Sequence, residues 1–191
     1  MSDFNIDAHL CNANNSCLVV IDIQTRLTAA IPVKVLARLK RNINILLQSA
    51  NTLSIPVLAT EQYPKGLGPT EPEIVELLPD NALKFEKTSF SCTDAEKFLQ
   101  QLKETGRKQV ILVGIEAHVC VLQTAIQLIA KGYQVFVAAD GICSRHRENY
   151  EASLMRMSRA NVVICNAESI LFEWLRDAKH KHFKKLSSLI Q

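Results

Sequence analysis

The sequence predicts an α/β fold in which a mostly parallel sheet lies between two layers of helices. Two observations carry this. Short apolar runs of strand length alternate with longer segments whose apolar residues recur at helical spacing, and such alternation resolves into right-handed βαβ units. The runs are also apolar without interruption, as strands are when both faces of a parallel sheet are covered.

Residues 1–15 are polar and rich in Asn, which reads as a loosely held tail. Cys17-Leu18-Val19-Val20-Ile21 is the first strand, and Asp22 closes it. Around Val35 to Leu47 the residues Val35, Leu36, Leu39, Ile43, Leu46 and Leu47 share one helical face, with Lys34, Arg38, Lys40 and Arg41 on the other. Pro56 opens strand Val57-Leu58-Ala59 at a position where the missing N–H does little harm. Pro64, Gly66, Gly68, Pro69 and Pro72 then predict a loop without regular structure. Ala82 to Phe85 is strand-like and leads into Glu86-Lys87, and Thr93-Asp94-Ala95-Glu96 has the form of a capping box for a helix running to about Glu104. Gln109 to Val113 is the next strand. Gly114 and a mainly apolar helix from about His118 to Ala130 follow, closed by Lys131-Gly132. Strand Gln134 to Ala138, a helix from about Arg147 to Ser158, strand Asn161 to Ile164 and helix Ala167 to Leu175 complete the order.

At 191 residues, with no internal repeat or interior linker, one domain over residues 16–177 is expected, between the tail and a basic C-terminal tail or helix at 178–191. In the latter, Phe183, Leu186, Leu189 and Ile190 form a stripe opposite the lysines, suited to a frayed amphipathic end or to a subunit contact. The net charge of +3 is concentrated in this segment, so the rest offers no basic field for nucleic acid. No apolar run approaches the ~20 residues that span a bilayer. The six cysteines include no C-x-x-C pair and follow no secretory segment, which points to free thiols in a reducing cytoplasm.

Ligands of open α/β sheets bind beyond the carboxyl ends of the strands, so polar residues that end apolar runs are the candidates for chemistry. Asp22, Lys87 and Cys120 stand out, the last within the first turn of a helix. A cysteine attacks as thiolate, and a helix N-terminus and a lysine ammonium would both lower its pKa. Asp22 could then accept and return a proton, and Lys87 could orient it or stabilise developing charge. Each has a plainer reading: cysteines are often simply buried, and lysines after strands are usually solvated. An acidic residue closing an apolar strand is costly unless paired or functional. His118 precedes Cys120 by two residues, a spacing that does not face side chains together on a helix, so a pocket-lining or capping role suits it better than a Cys/His pair.

The segments "LVVIDIQTRL", "FEKTSFSC" and "ILVGIEAHVCVLQTAIQLIAKGYQVFVAADGICSR" together resemble the isochorismatase-like cysteine hydrolases, over roughly residues 16 to 170. The resemblance implies a six-stranded Rossmann-like sheet and an Asp, Lys, Cys triad, which falls on Asp22, Lys87 and Cys120. It also implies a cis peptide between Ile115 and Glu116, with the amides of Glu116 and Cys120 as the oxyanion hole. Gln24, in the family's Asp-x-Gln position, supports the following loop or faces the pocket. Nicotinamidases of the family carry an Asp-x-His metal motif where this chain has Glu61, Gln62 and Tyr63, so neither metal nor other cofactor is expected. Tyr63 and Phe90 could wall a substrate pocket, with polar groups from Gln62 or His118.

The expected activity is hydrolysis of a small-molecule C–N bond, amide or carbamoyl, through a Cys120 thioester. Enol-ether hydrolysis of the isochorismatase type is the alternative enzyme, and a redox-reactive or binding protein on the same fold is the alternative from another class. A homo-oligomer is expected because the helix from Val119 to Ala130 is apolar around most of its circumference.

Overall fold

The computed structural model describes residues 9–190. Six strands form one sheet: β1 (Ser16–Ile21), β2 (Val57–Gln62), β3 (Leu83–Lys87), β4 (Gln109–Ile115), β5 (Gln134–Cys143) and β6 (Val163–Cys165). Their spatial order is β3-β2-β1-β4-β5-β6, and every neighbouring pair is parallel. The chain therefore builds outward from β1 to one edge, then returns beside β1 as β4 and builds to the other. That reversal leaves a crevice beyond the carboxyl ends of β1 and β4.

Nine helices connect the strands: α1 (Thr25–Thr28), α2 (Val33–Thr52), α3 (Pro64–Leu67), α4 (Pro72–Val75), α5 (Phe98–Glu104), α6 (Leu122–Ala130), α7 (Arg147–Arg159), α8 (Ala167–Leu175) and α9 (Phe183–Ser187), a count of the described residues. The side-chain alternation of the strands divides the interior in two. Leu18 and Val20 of β1, Ile111 and Val113 of β4 and Phe136 of β5 pack with Leu39, Ile43 and Leu46 of α2 and Ile170 of α8. Val19 and Ile21, Val110 and Leu112, and Val135 and Val137 point the other way, to Phe98 of α5, Ala125 and Leu128 of α6 and Met157 of α7. This double burial is why the strands read as uninterrupted apolar runs.

Several local expectations give way to tertiary contacts. The breaker-rich segment contains the single turns α3 and α4, each with proline at its first positions, where a missing N–H costs nothing. Thr93 does not cap a helix. Ser91 accepts the Thr93 amide, Cys92–Asp94 is one 3-10 turn, and α5 starts only after Lys97 at φ 63°. Phe98 is fully buried there, its ring meeting Phe85 edge-on at 5.5 Å. The helix expected from His118 opens as a π-helical turn, Ala117–Val121. β6 begins two residues late, behind Asn161 at φ 63°.

Both ends of the described chain are held. The Cys11 amide donates to Glu173 at 2.6 Å and the Asn12 amide to Gln109 Oε1 at 2.7 Å, so Cys11–Asn15 are not the loose tail expected; residues 1–8 lie outside the described residues. Leu186 of α9 is fully buried against Ile45, Leu171 and Leu175, with Phe183, Leu189 and Ile190 packed around it. The C-terminal stripe thus docks on its own domain. Much of the apolar circumference of α6 is covered within the chain, by β5, α7 and the 92–94 turn, while Ile126 and Ile129 stay partly exposed on its outer side. Among the described residues no helix is long and apolar enough to cross a membrane.

Gly114 opposes Ile21 in the β1–β4 register and lies at φ 128°, where a Cβ would stand 2.1 Å from the Ile21 carbonyl oxygen. Gly132 has φ 81° but nothing within 4 Å of its would-be Cβ. Gly114→Ala should therefore lower the unfolding free energy by about 3 kcal/mol or more, through overpacking added to backbone strain. Gly132→Ala should lose only the backbone cost, about 1–2 kcal/mol. Urea titration of both variants checks the difference, and equal losses would show that the β1–β4 approach is not the constraint.

Candidate active site

Three strand ends supply the crevice. Asp22 follows β1 directly at φ 52°, a left-handed conformation that Asp tolerates better than most residues. Its amide still donates to Thr60 O at 3.1 Å, so the turn begins while the residue is tied to β2. Lys87 ends β3 in register with Gln62 of β2. Cys120 lies in the π-helical turn that follows β4.

The Lys87 Nζ is 2.7 Å from Asp22 Oδ2, and neither side chain has any exposed surface. Gln62 Oε1 accepts from the same ammonium at 2.6 Å, with the Phe90 and Ser89 carbonyls at 3.1 and 3.4 Å. The other Asp22 oxygen accepts the Thr60 hydroxyl at 2.7 Å. Burial is the largest influence and works against the Lys87 ammonium, but the charge and hydrogen bond of Asp22 oppose it, and its pKa lies above the usual lysine range.

Cys120 is 6% exposed. Burial is the main influence on its thiol and pushes the pKa up; the Asp22 carboxylate pushes the same way, and Lys87 alone of the two charged partners pulls it down. The lowered pKa expected from a helix start and a lysine is thus corrected. The helix start is a π turn, the lysine's charge is already matched by Asp22, and the thiol is desolvated. It rests protonated beside a carboxylate.

The expected pocket residues separate into different roles. Gln24 is fully buried, its amide donating to Gln62 O and Gly68 O and its oxygen accepting from the Gln62 amide at 2.7 Å. It ties the loop after β2 and does not face a pocket. Gln62 is 8% exposed; it holds Lys87 and donates to Thr88 O, so it positions the lysine. Tyr63 and Phe90 are each 54% exposed, and Tyr63 lines a recess of about 410 Å³ together with Lys87, Ser89 and Asp94. His118 does not pair with Cys120. Its Nδ1 lies 2.9 Å from Ser144 Oγ and its Nε2 3.4 Å from Asn149, which anchors the π turn to the segment after β5.

The Ile115–Glu116 peptide is cis, as the resemblance implies. The Glu116 side chain is gripped by Arg145, from Nε at 2.8 Å and Nη2 at 3.3 Å, a second anchor for the same turn. Glu61 accepts the Thr70 amide and hydroxyl and Gln62 accepts from Lys87, so two of the three residues that stand at the metal-motif position are engaged elsewhere. No group of three His, Cys, Asp or Glu able to hold a metal occurs among the described residues.

Sequence reasoning missed Thr60, Arg145 and Cys92. Thr60 pairs with Ile21 in the parallel register, so aligning β2 against β1 would have put its hydroxyl beside Asp22. Cys92, fully buried with its thiol 3.6 Å from Thr60 Oγ1, has its pKa pushed up to about 11, first by burial and then by Asp22. Nothing in its sequence surroundings signals that position.

Residues 16–169 match the isochorismatase domain family. Isochorismatase domain-containing protein 2 of Xenopus laevis is 40% identical over 147 residues, covering 76% of this chain and 69% of that protein. The chain spans about half the length (51%) of isochorismatase domain-containing protein 1 of Salmo salar, with 41% identity. Among solved structures, one described as the MAR1 ribonuclease of Caenorhabditis elegans superposes with TM-score 0.89 at 36% identity, covering 95% of this chain and 92% of that one. The YcaC product of Escherichia coli, described as an octameric hydrolase of unknown specificity, gives TM-score 0.89 at 25% identity, over 99% and 91% of the chains. With the domain match spanning most of the sequence and the sheet order, crevice and relatives in agreement, the chain belongs to the isochorismatase family.

Proposed function

We propose that this protein is a cysteine hydrolase that cleaves a small-molecule amide or carbamoyl C–N bond. The observation that carries the reading is the sealed Asp22–Lys87 pair, 2.7 Å apart, set beside the buried Cys120 in the turn after β4. As the Cys120 sulfur attacks the substrate carbonyl, its proton passes to Asp22, and the oxyanion is received by the amides of Glu116 and Cys120. Asp22 gives the proton to the departing amine, which leaves the acyl group on sulfur as a thioester. A water molecule, losing its proton to Asp22, hydrolyses the thioester and restores the thiol. Lys87 holds the carboxylate in place, and its charge favours the sulfur anion that forms during attack.

Enol-ether hydrolysis uses the same carboxyl group as an acid and needs no thiol, so the two reactions separate on Cys120. Ribonuclease activity, suggested by the description of the C. elegans neighbour, fits this site poorly. RNA cleavage calls for an open cationic groove along the backbone, whereas the cation at this site is sealed in its pair. The octameric E. coli neighbour and the exposed Tyr63 and Phe90, on the segments that follow β2 and β3, support a homo-oligomer in which another copy covers the crevice mouth.

In a screen of small amides and carbamoyl compounds, Cys120→Ala should lower turnover of any accepted substrate by about 10⁴-fold or more. Dialysis against a chelator should leave the wild-type rate unchanged. Turnover retained in Cys120→Ala would move the assignment to enol-ether chemistry, and loss of activity on chelation would overturn the metal-free mechanism. The raised thiol pKa has its own consequence: alkylation of Cys120 by iodoacetamide in the free protein should be slow at pH 7 and rise about tenfold per pH unit into the alkaline range. Peptide mapping with partly buried Cys165 as internal reference measures this, and a rate already flat near neutral pH would mean a low-pKa thiolate after all. Light scattering at micromolar concentration should give a mass several times the 21.3 kDa chain; a monomeric mass would remove the shared-mouth proposal.

A further inference from the structure

A second recess, of about 470 Å³, lies at the opposite, amino end of the sheet, where Asn12, Ser54 and Trp174 meet Arg176, His180, Lys181 and His182. No Asp or Glu lines it, and none of its four basic residues takes part in an ion pair among the described residues. The acidic residues adjoining it in sequence each accept a backbone amide: Glu173 that of Cys11 at 2.6 Å, and Asp177 that of Lys179 at 2.7 Å. Residues 176–185 carry Arg176, Lys179, Lys181, Lys184 and Lys185 against Asp177 alone, an excess larger than the +3 of the whole chain, so the rest of the protein is close to neutral. The cations are held together by packing. Arg176 donates to Cys11 O at 2.9 Å, Trp174 Nε1 to Ser16 Oγ at 2.9 Å, and Leu186 is fully buried beneath α9. The His180 and His182 rings are 5.6 Å apart, and His182 is held below the usual histidine range by partial desolvation and by Lys181, His180 and Lys185.

We propose that this recess binds a small phosphate-type polyanion. The fixed charges of Arg176 and Lys181, with the His180 and His182 rings beside them, face a polar cavity that no Asp or Glu lines, which suits a multiply charged anion whose phosphate oxygens match the guanidinium of Arg176. The ligand is either a free oligophosphate or the phosphate chain of a nucleotide. Calorimetry and thermal melting of the full chain with inorganic tripolyphosphate and with ATP separate the two, with potassium chloride at matched ionic strength as control. Tripolyphosphate should bind at micromolar to millimolar concentration and raise the melting temperature beyond the chloride control. Binding of ATP as well assigns the nucleotide source, and its failure assigns the free oligophosphate. The double variant Lys181→Ala/His182→Ala should weaken binding at least about tenfold while melting like the wild type without anion. Should that variant be unstable, Lys181→Gln, at an exposed side chain without hydrogen bonds, should still weaken binding measurably. No stabilisation beyond chloride, or unchanged affinity in the variants, would overturn the proposal.

Discussion

The structure around the crevice depends on one expensive contact, the ion pair of Asp22 and Lys87 with no exposed side-chain surface on either partner. Removing two charges from water costs several kcal/mol per ion after relaxation, and the attraction between them repays this only when the remaining lone pairs and protons are also satisfied. Here they are. Thr60 takes the second carboxylate oxygen, and Gln62 with the Phe90 and Ser89 carbonyls surrounds the ammonium. Those requirements propagate: Gln62 is held by Thr88 and Gln24, and Gln24 by Gly68. The loop after β2 and the turn after β3 are ordered by the same network that neutralises the pair. No buried side-chain nitrogen or oxygen among the described residues lacks a partner.

That pair also decides the state of the thiol beside it. Had Lys87 faced Cys120 without a carboxylate, its charge would favour a standing thiolate. With Asp22 already paired to it, the lysine's effect is largely cancelled, and desolvation dominates. In the proposed mechanism, a neutral thiol next to a carboxylate would keep both proton and acceptor inside the closed site, so that the proton moves when sulfur attacks and is delivered to the leaving group. The charge of the site is the same before and after each transfer, which suits a crevice that excludes water.

Much of this was legible in the sequence. The apolar runs ending in Asp22 and in Val113, and the helical stripes between them, predict the parallel sheet because strand burial on both faces leaves no other pattern. The same rule, polar residues at strand ends, selects Asp22, Lys87 and Cys120 without reference to any relative. What was not legible is depth. The expected thiolate assumed a solvated helix start, and the expected pocket roles of Gln24 and Gln62 assumed that polar side chains near a crevice face it. Both glutamines instead face inward to partners 20 to 45 positions away. The capping box at Thr93 failed for a related reason: local chemistry favoured a helix there, but the burial of Phe98 against Phe85 and the donation of the Cys92 amide to Thr124 fixed another path.

The closure of the site also bears on what it can accept. Cys120 is 6% exposed and the Lys87 side chain not at all, so on the mechanism proposed above the reacting carbonyl must reach a residue with little open surface. A substrate bulky on both sides of the scissile bond would then require the surrounding chain to move. A compound that is small on one side, with an amide nitrogen or a carbamoyl end, would require less. On that mechanism the selectivity for short substrates follows from the burial of the pair and of the cysteine beside it.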